Sequence, residues 1–120
     1  MSKIKIRQVL KVENERHEYN GLGIKKANKI IYFDNNIKTS IVIDDTVKII
    51  RKSDYQIVLN FKEGKMLDSY YEDNYGSIKL ELQTNYLKIK KNFLEIHYTL
   101  LSKGHKISDF EFILEYSIDT

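Results

Sequence analysis

Apolar and polar residues alternate at nearly every second position along most of this chain. From Ile4 onward, Ile6, Leu10 and Val12 share one side, and the later run from Tyr55 to Phe61 repeats the pattern. Period-two alternation places the apolar side chains of a strand on one face of a sheet. The chain contains no proline, which suits strands because proline cannot donate to a ladder. The pattern therefore predicts a succession of half-buried β-strands.

Turn signals separate these strands at short, regular intervals. Asp34, Asn35 and Asn36 form one of the strongest, because Asp and Asn tolerate left-handed backbone, and Asn85 is interpreted as a break between two strands. Gly21 and Gly23 stand two residues apart within one strand, which indicates a bend or a close backbone approach. The strands are predicted at residues 3–12, 18–26, 30–33, 37–43, 47–51, 55–61, 66–71, 78–82, 86–90, 94–100 and 110–118.

Many short strands joined by hairpins are typical of an all-β barrel or sandwich. Consecutive hairpins favour an up-and-down meander, so we predict a single antiparallel β-barrel of about 8–10 strands. One domain is expected to span residues 1–120. The inward set is predicted to be Ile4, Ile6, Leu10, Ile41, Ile43, Ile57, Leu59, Phe61, Ile78, Leu80, Leu82, Ile96, Tyr98, Phe112 and Leu114.

Composition narrows the function classes only slightly. The chain has no cysteine, which excludes disulfides and thiolate metal sites, and its charged N-terminal stretch is unlike a signal peptide, so a cytoplasmic location is expected. No segment approaches membrane-spanning length. The net charge of +3 comes mainly from lysine, and only Arg7, Arg16 and Arg51 offer the fork that nucleic-acid sites favour. Nucleic-acid binding is therefore disfavoured.

Several segments together resemble one known family. They are the glycine pair at 21 and 23, residues 29–34, the Ile49-Ile50-Arg51 strand end, and residues 74–84, which begin Asn-Tyr-Gly. In this order they are similar to the YwiB-like family of small bacterial proteins of unassigned function. The resemblance implies a calycin-like or lipocalin-like antiparallel barrel and no particular reaction. Asp34 departs from the family, which tends to have glutamate at that position.

Arg51 is the first candidate for binding chemistry. If Val47 and Ile49 face the interior, period two carries Arg51 inside, where a guanidinium must be paired or bind an anion. If Ile50 faces in, Arg51 is exposed or pairs with Asp54. Charged residues at strand ends are mostly exposed, which favours the second arrangement.

A few other polar side chains fall on apolar faces and could complete a pocket. These candidate ligand-binding residues are Gln8, Thr39, Thr84 and Tyr98. Lone hydroxyls and amides in barrels more often satisfy a nearby backbone group, so this structural role is the favoured interpretation.

Catalysis and metal binding lack a signature in the sequence. His17, His97 and His105 have no second ligand at metal spacing, and we find no nucleophile elbow or phosphate-binding glycine loop. We therefore expect no catalytic residue, metal or cofactor. The densest tyrosine cluster, at 70, 71 and 75, is flanked by acidic residues, which argues against stacking on RNA.

Three function classes remain open, of which RNA binding or catalysis is the least favoured. The first is binding of a small amphipathic ligand in the barrel, which predicts a cavity of a few hundred cubic ångströms reaching Arg51 or Tyr98. The second is a protein-interaction or structural module, which predicts an exposed apolar patch or an unpaired edge strand, such as residues 30–33, used for strand addition or dimerisation.

Overall fold

A computed structural model describes residues 1–119 and confirms the all-β prediction with ten antiparallel strands in a closed barrel. Each strand pairs with its sequence neighbours, and β1 pairs with β10 to close the barrel. The strands are β1 (Ser2–Val12), β2 (Glu15–Lys26), β3 (Lys29–Asp34), β4 (Ile37–Ile43), β5 (Val47–Lys52), β6 (Gln56–Phe61), β7 (Met66–Asp73), β8 (Gly76–Lys90), β9 (Phe93–Ser102) and β10 (His105–Ile118). None of residues 1–119 belongs to a helix that could cross a membrane.

The two ends of the barrel differ in what fills them. Successive hairpins alternate between the ends, so the turns after β1, β3, β5, β7 and β9 share one end, which we call the mouth. Toward the opposite end, large apolar side chains are fully buried, among them Ile4, Ile30, Val47, Phe61 and Leu94. The polar side chains of Gln8, Asp34 and Arg51 lie instead toward the mouth.

The predicted break at Asn85 is wrong. Gly76–Lys90 is one strand, and its pairing with β9 shifts register between Thr84 and Tyr86. A bulge of this kind adds one residue and changes which face the following side chains occupy. Leu82 and Thr84 are buried before the shift, and Leu87 packs against the core after it. The polar residue therefore marks a change of face within one long strand.

Two predicted core residues lie outside the packed core. Ile78 is 55% exposed and Leu80 is only half-buried. The ladder between β8 and β9 starts at Glu81, so the preceding residues of β8 pair with β7 alone, where the hairpin extends beyond the barrel wall. All the other predicted inward residues lie in or against the core, which also contains Ile30, Tyr32, Val47, Ile49 and Leu94.

The barrel wall has a lateral opening beside β2. Gly23–Lys26 pair with Tyr32–Lys29 of β3, whereas residues 15–22 pair with β1 alone among the described residues. We call residues 15–22 the open edge of β2. The predicted edge strand at residues 30–33 is wrong, because β3 pairs with β4 along its whole length and with β2 up to Tyr32.

Gly23 permits the close approach that the sequence indicated. A Cβ atom there would lie 2.5 Å from Ile6 Cδ1 and 2.8 Å from the carbonyl oxygen of Ile31. The backbone carbonyl is fixed by the sheet and cannot yield easily. At Gly21 the space for a Cβ is filled by the far end of the Tyr19 side chain, which can rotate away. Gly23 therefore lets two strands approach closely, whereas Gly21 leaves room for the Tyr19 side chain.

We expect Gly23→Ala to lower the free energy of unfolding by about 1–2 kcal/mol, because the added methyl group overpacks a rigid site. Gly21→Ala is the comparison and should lower it by less, since a side chain and no backbone atom must move. Urea denaturation of both variants measures the difference. Equal stability of the two variants would contradict the close approach.

Candidate functional site

Two adjoining cavities open at the mouth of the barrel. The mouth cavity, of about 490 Å³, lies along the open edge of β2 and faces the turn after β3. The inner cavity, of about 150 Å³, lies deeper in the barrel and has a mainly apolar lining. Gln8, Leu10 and Arg51 line both cavities, so these three side chains stand at their junction.

Arg51 faces the interior, contrary to the favoured prediction that it would be exposed. Val47 and Ile49 of β5 are buried, and period two carries Arg51 to the same side. Its partner is Asp34 at the end of β3, where Nη2 donates to Oδ2 over 2.9 Å. Asp34 follows the buried Ile30 and Tyr32 at the same period. Two inward strand faces therefore bring the ion pair together.

A chain of hydrogen bonds extends this ion pair across the interior. The Tyr32 hydroxyl donates to Gln8 Oε1, and Gln8 Nε2 donates to Asp34 Oδ2 over 3.1 Å. One carboxylate oxygen thus accepts from both Gln8 and Arg51. The network fixes the Gln8 amide and the Asp34 carboxylate in defined orientations.

The guanidinium is only partly satisfied by this network. The Asp34 side chain is 9% exposed and that of Arg51 is 27% exposed, so the pair is mostly removed from water. An arginine has five N–H donors, and Asp34 accepts from one nitrogen. Among residues 1–119, Nε of Arg51 is buried without a partner. Arg51 therefore has N–H groups that are still free to donate to a ligand, and its exposed part lines both cavities.

Two buried tyrosines complete the polar surroundings. Burial raises the pKa of the Tyr98 hydroxyl above its usual value, and the nearby Arg51 charge partly opposes that rise. Burial likewise raises the pKa of Tyr32, which Arg51 lowers in part and Asp34 raises further. Both phenols therefore stay protonated at neutral pH, and that of Tyr32 donates to Gln8.

Aromatic rings form much of the inner cavity. Tyr98 stacks on Phe110 with a centroid distance of 4.9 Å and an interplanar angle of 11°. Phe61 packs against Tyr98 in a T-shaped arrangement, also with centroids 4.9 Å apart. Phe110, Phe112 and Tyr98 line the cavity together with Ile49, Ile57, Leu59 and Leu100. An apolar group that entered would find aromatic surfaces on several sides.

The structure brings together three of the five residues singled out from the sequence. Gln8, Arg51 and Tyr98 line the inner cavity. Thr39 pairs with Arg51 across β4 and β5, but its buried Oγ1 has no partner within residues 1–119 and it lines neither cavity. Thr84 lies apart, where its hydroxyl accepts from the Lys62 amide over 3.2 Å.

Asp34 and Tyr32 are the site residues that the sequence analysis missed. Asp34 was interpreted as part of a turn, since two asparagines follow it. The signal that could have found it is its parity, because Ile30, Tyr32 and Asp34 occupy every second position of one strand. The adjacent apolar residues Ile31 and Phe33 masked that alternation in so short a segment.

Histidines do not build a metal centre here. His17 lines the mouth cavity and lies 3.2 Å from Glu15, and His97 lies 2.7 Å from Glu95. Across residues 1–119, no three His, Cys, Asp or Glu side chains gather as metal ligands would.

Comparison with known proteins identifies relatives without an assigned activity. The family described as "Domain of unknown function (DUF1934)" matches residues 3–114. The crystal structure of the YwiB protein from Bacillus subtilis has a TM-score of 0.68 and 16% sequence identity, covering 98% of this chain and 91% of that chain. At this identity the likeness shows the shared fold alone. A search of curated proteins gives no match.

Proposed function

This chain belongs to the DUF1934 family of domains of unknown function, and from its barrel mouth we propose that it is a non-catalytic binding module for a small amphipathic ligand. The observation that carries the proposal is Arg51 at the junction of a 490 Å³ mouth cavity and a 150 Å³ apolar cavity. A cationic donor beside an apolar pocket suits a ligand with an acidic head and an apolar body.

Several features support binding over catalysis. Both phenols at the site stay protonated, and the Asp34 carboxylate already accepts from Gln8 and Arg51. A general base in catalysis must be a side chain that is free to accept a proton near neutral pH. The groups at this site instead hold one another in place, which favours recognition of a ligand. We propose no cofactor for this role.

Other parts of the proposal rest on the sequence and the fold class. A closed antiparallel barrel with an internal cavity supports a calycin-like or lipocalin-like architecture. The absence of cysteine supports a cytoplasmic location. Scarce arginine and acidic neighbours around the tyrosine cluster argue against nucleic acid as the partner.

We expect Arg51→Gln to weaken binding of an acidic amphiphile by at least about tenfold, because the variant loses the cation and its free donors. Calorimetric titration with benzoate, octanoate and phenyl phosphate checks this. Lys48→Gln is the matched control, since it removes a cation from the exposed face of the same strand, β5, and Lys48 lines neither cavity. If none of the three compounds binds in an Arg51-dependent way, the proposed function fails.

A protein partner or a homodimer is the second candidate function. The specific observation is an exposed apolar group on the outer wall, formed by Leu22, Ile24 and Phe33 beside the open edge of β2. Unpaired strand edges accept additional strands, and apolar side chains next to one would strengthen the contact. Native mass spectrometry separates the candidates, because it reports both bound small molecules and oligomeric state.

A further inference from the structure

We infer that the ligand is a small aromatic monocarboxylate, with its ring in the inner cavity and its carboxylate at Arg51. This inference rests on the proposed function and adds the chemical class of the ligand. Three properties of the site carry it, namely the size of the inner cavity, its aromatic walls and the charge already present beside Arg51.

The size of the inner cavity sets the apolar part of the ligand. An apolar protein cavity of about 150 Å³ holds a group of roughly benzene size, and the inner cavity has this volume. Beyond it the interior is closed, because Ile41, Phe61, Leu82 and Ile96 are fully buried. A long acyl chain would need a channel through these side chains. The geometry thus selects a compact group.

The walls of the inner cavity favour a ring over a branched aliphatic group. Tyr98 and Phe110 stack in parallel at 4.9 Å, and Phe112 lines the same space. Aromatic pairs prefer offset-stacked or edge-to-face contacts, which add to the gain from burial alone. A ligand ring among these side chains can form such contacts.

The charged side chains at the junction of the two cavities determine which polar head group the ligand carries. Arg51 retains donors beyond the one engaged by Asp34, and a planar carboxylate matches the geometry of the guanidinium fork. Asp34 and Glu18 also line the mouth cavity, where Arg16 pairs with Glu18 over 2.9 Å. These two carboxylates repel a second negative charge on the ligand. A monoanion is therefore favoured over a phosphate dianion.

The test compares benzoate with four probes at one pH and ionic strength. Decanoate has a carboxylate on a long acyl chain and no ring, and acetate has a carboxylate with almost no apolar part. Benzyl alcohol has the aromatic ring without a charge. Phenyl phosphate has the ring with a larger negative charge. We expect benzoate to bind at least about tenfold more tightly than each of them in the unmodified protein. Isothermal calorimetry and amide chemical shifts of residues lining the inner cavity report the affinity and the place.

A filling substitution separates the ring site from the head site. Leu100→Phe places a larger side chain in the inner cavity, so benzoate binding should fall by at least about tenfold while the small Arg51-dependent shifts caused by acetate persist. Ile89→Phe, on the exposed surface of β8, is the matched control. The circular dichroism spectrum and thermal midpoint of each variant verify folding, and the probe comparison in the unmodified protein stands without them.

Each result supports or overturns a defined statement. Arg51-dependent binding of decanoate or phenyl phosphate that equals or exceeds benzoate would overturn the aromatic monocarboxylate and keep the proposed binding function. Benzyl alcohol binding as tightly as benzoate would overturn the carboxylate contact. Absence of Arg51-dependent binding for every acidic probe would overturn both the inference and the function beneath it.

Discussion

Phe61→Ala is expected to lower the free energy of unfolding by about 3–5 kcal/mol, the range for truncating a buried phenylalanine. Phe61 is fully buried, and it supports the edge of the Tyr98 ring at 4.9 Å. Truncation would leave a cavity in the packed half of the barrel and remove one of the two aromatic contacts of Tyr98. Denaturant unfolding followed by tyrosine fluorescence measures the loss.

Phe33→Ala provides the comparison for this result. Phe33 is 59% exposed on the outer wall, so its truncation should change the free energy of unfolding by less than about 0.5 kcal/mol. A similar loss in both variants would mean that the barrel interior is not the main source of stability.

Asp34→Asn is expected to move stability and binding in opposite directions. Removing one partner of a buried ion pair leaves an uncompensated charge, which costs roughly 3–5 kcal/mol when burial is complete. Arg51 keeps 27% exposure, so we expect a loss of about 1–3 kcal/mol. Arg51 then lacks its internal counter-charge, and a bound carboxylate can supply one. Benzoate affinity should therefore rise by about tenfold, the equivalent of 1.4 kcal/mol.

The opposite signs distinguish a ligand site from a purely structural ion pair. A structural pair predicts the stability loss alone, with no gain in carboxylate affinity. Glu115→Gln serves as the control, because Glu115 contacts Arg7 in solvent at 3.4 Å and such pairs contribute little. Thermal unfolding with and without benzoate measures both effects, since a ligand that binds only the folded state stabilises it by RT ln(1 + L/Kd), where L is the free ligand concentration.

Strand periodicity predicted the barrel well where strands are long and one-sided. Residues 37–43 show the alternation of Ile37, Thr39, Ile41 and Ile43, and the predicted bounds agree with β4. Alternation alone did not predict burial correctly where the burial of a residue depends on which strands pair with it. Ile78 alternates as an inward residue would, yet the ladder to β9 begins only at Glu81. Register with a distant strand cannot be read from the segment itself.

The candidate site was predicted only in part, for a related reason. Arg51 and Tyr98 were identified because their parity within strands is visible in the sequence. Asp34 was missed because its role depends on where β3 ends relative to β5, and those residues never pair directly. The Arg51 guanidinium reaches it across β4, which lies between the two strands. Contacts that skip a strand depend on barrel curvature, which alternation does not encode.

The ladder between β1 and β10 has a consequence for how this protein is made. During translation β1 leaves the ribosome first, while its partner on one side, β10, emerges last. Eight consecutive hairpins can form on the growing chain before β10 is made, but the nascent sheet then carries unpaired edges on β1 and β9. Such edges recruit neighbouring chains. Ring closure after synthesis of β10 therefore ends the interval in which nascent copies can associate through these edges.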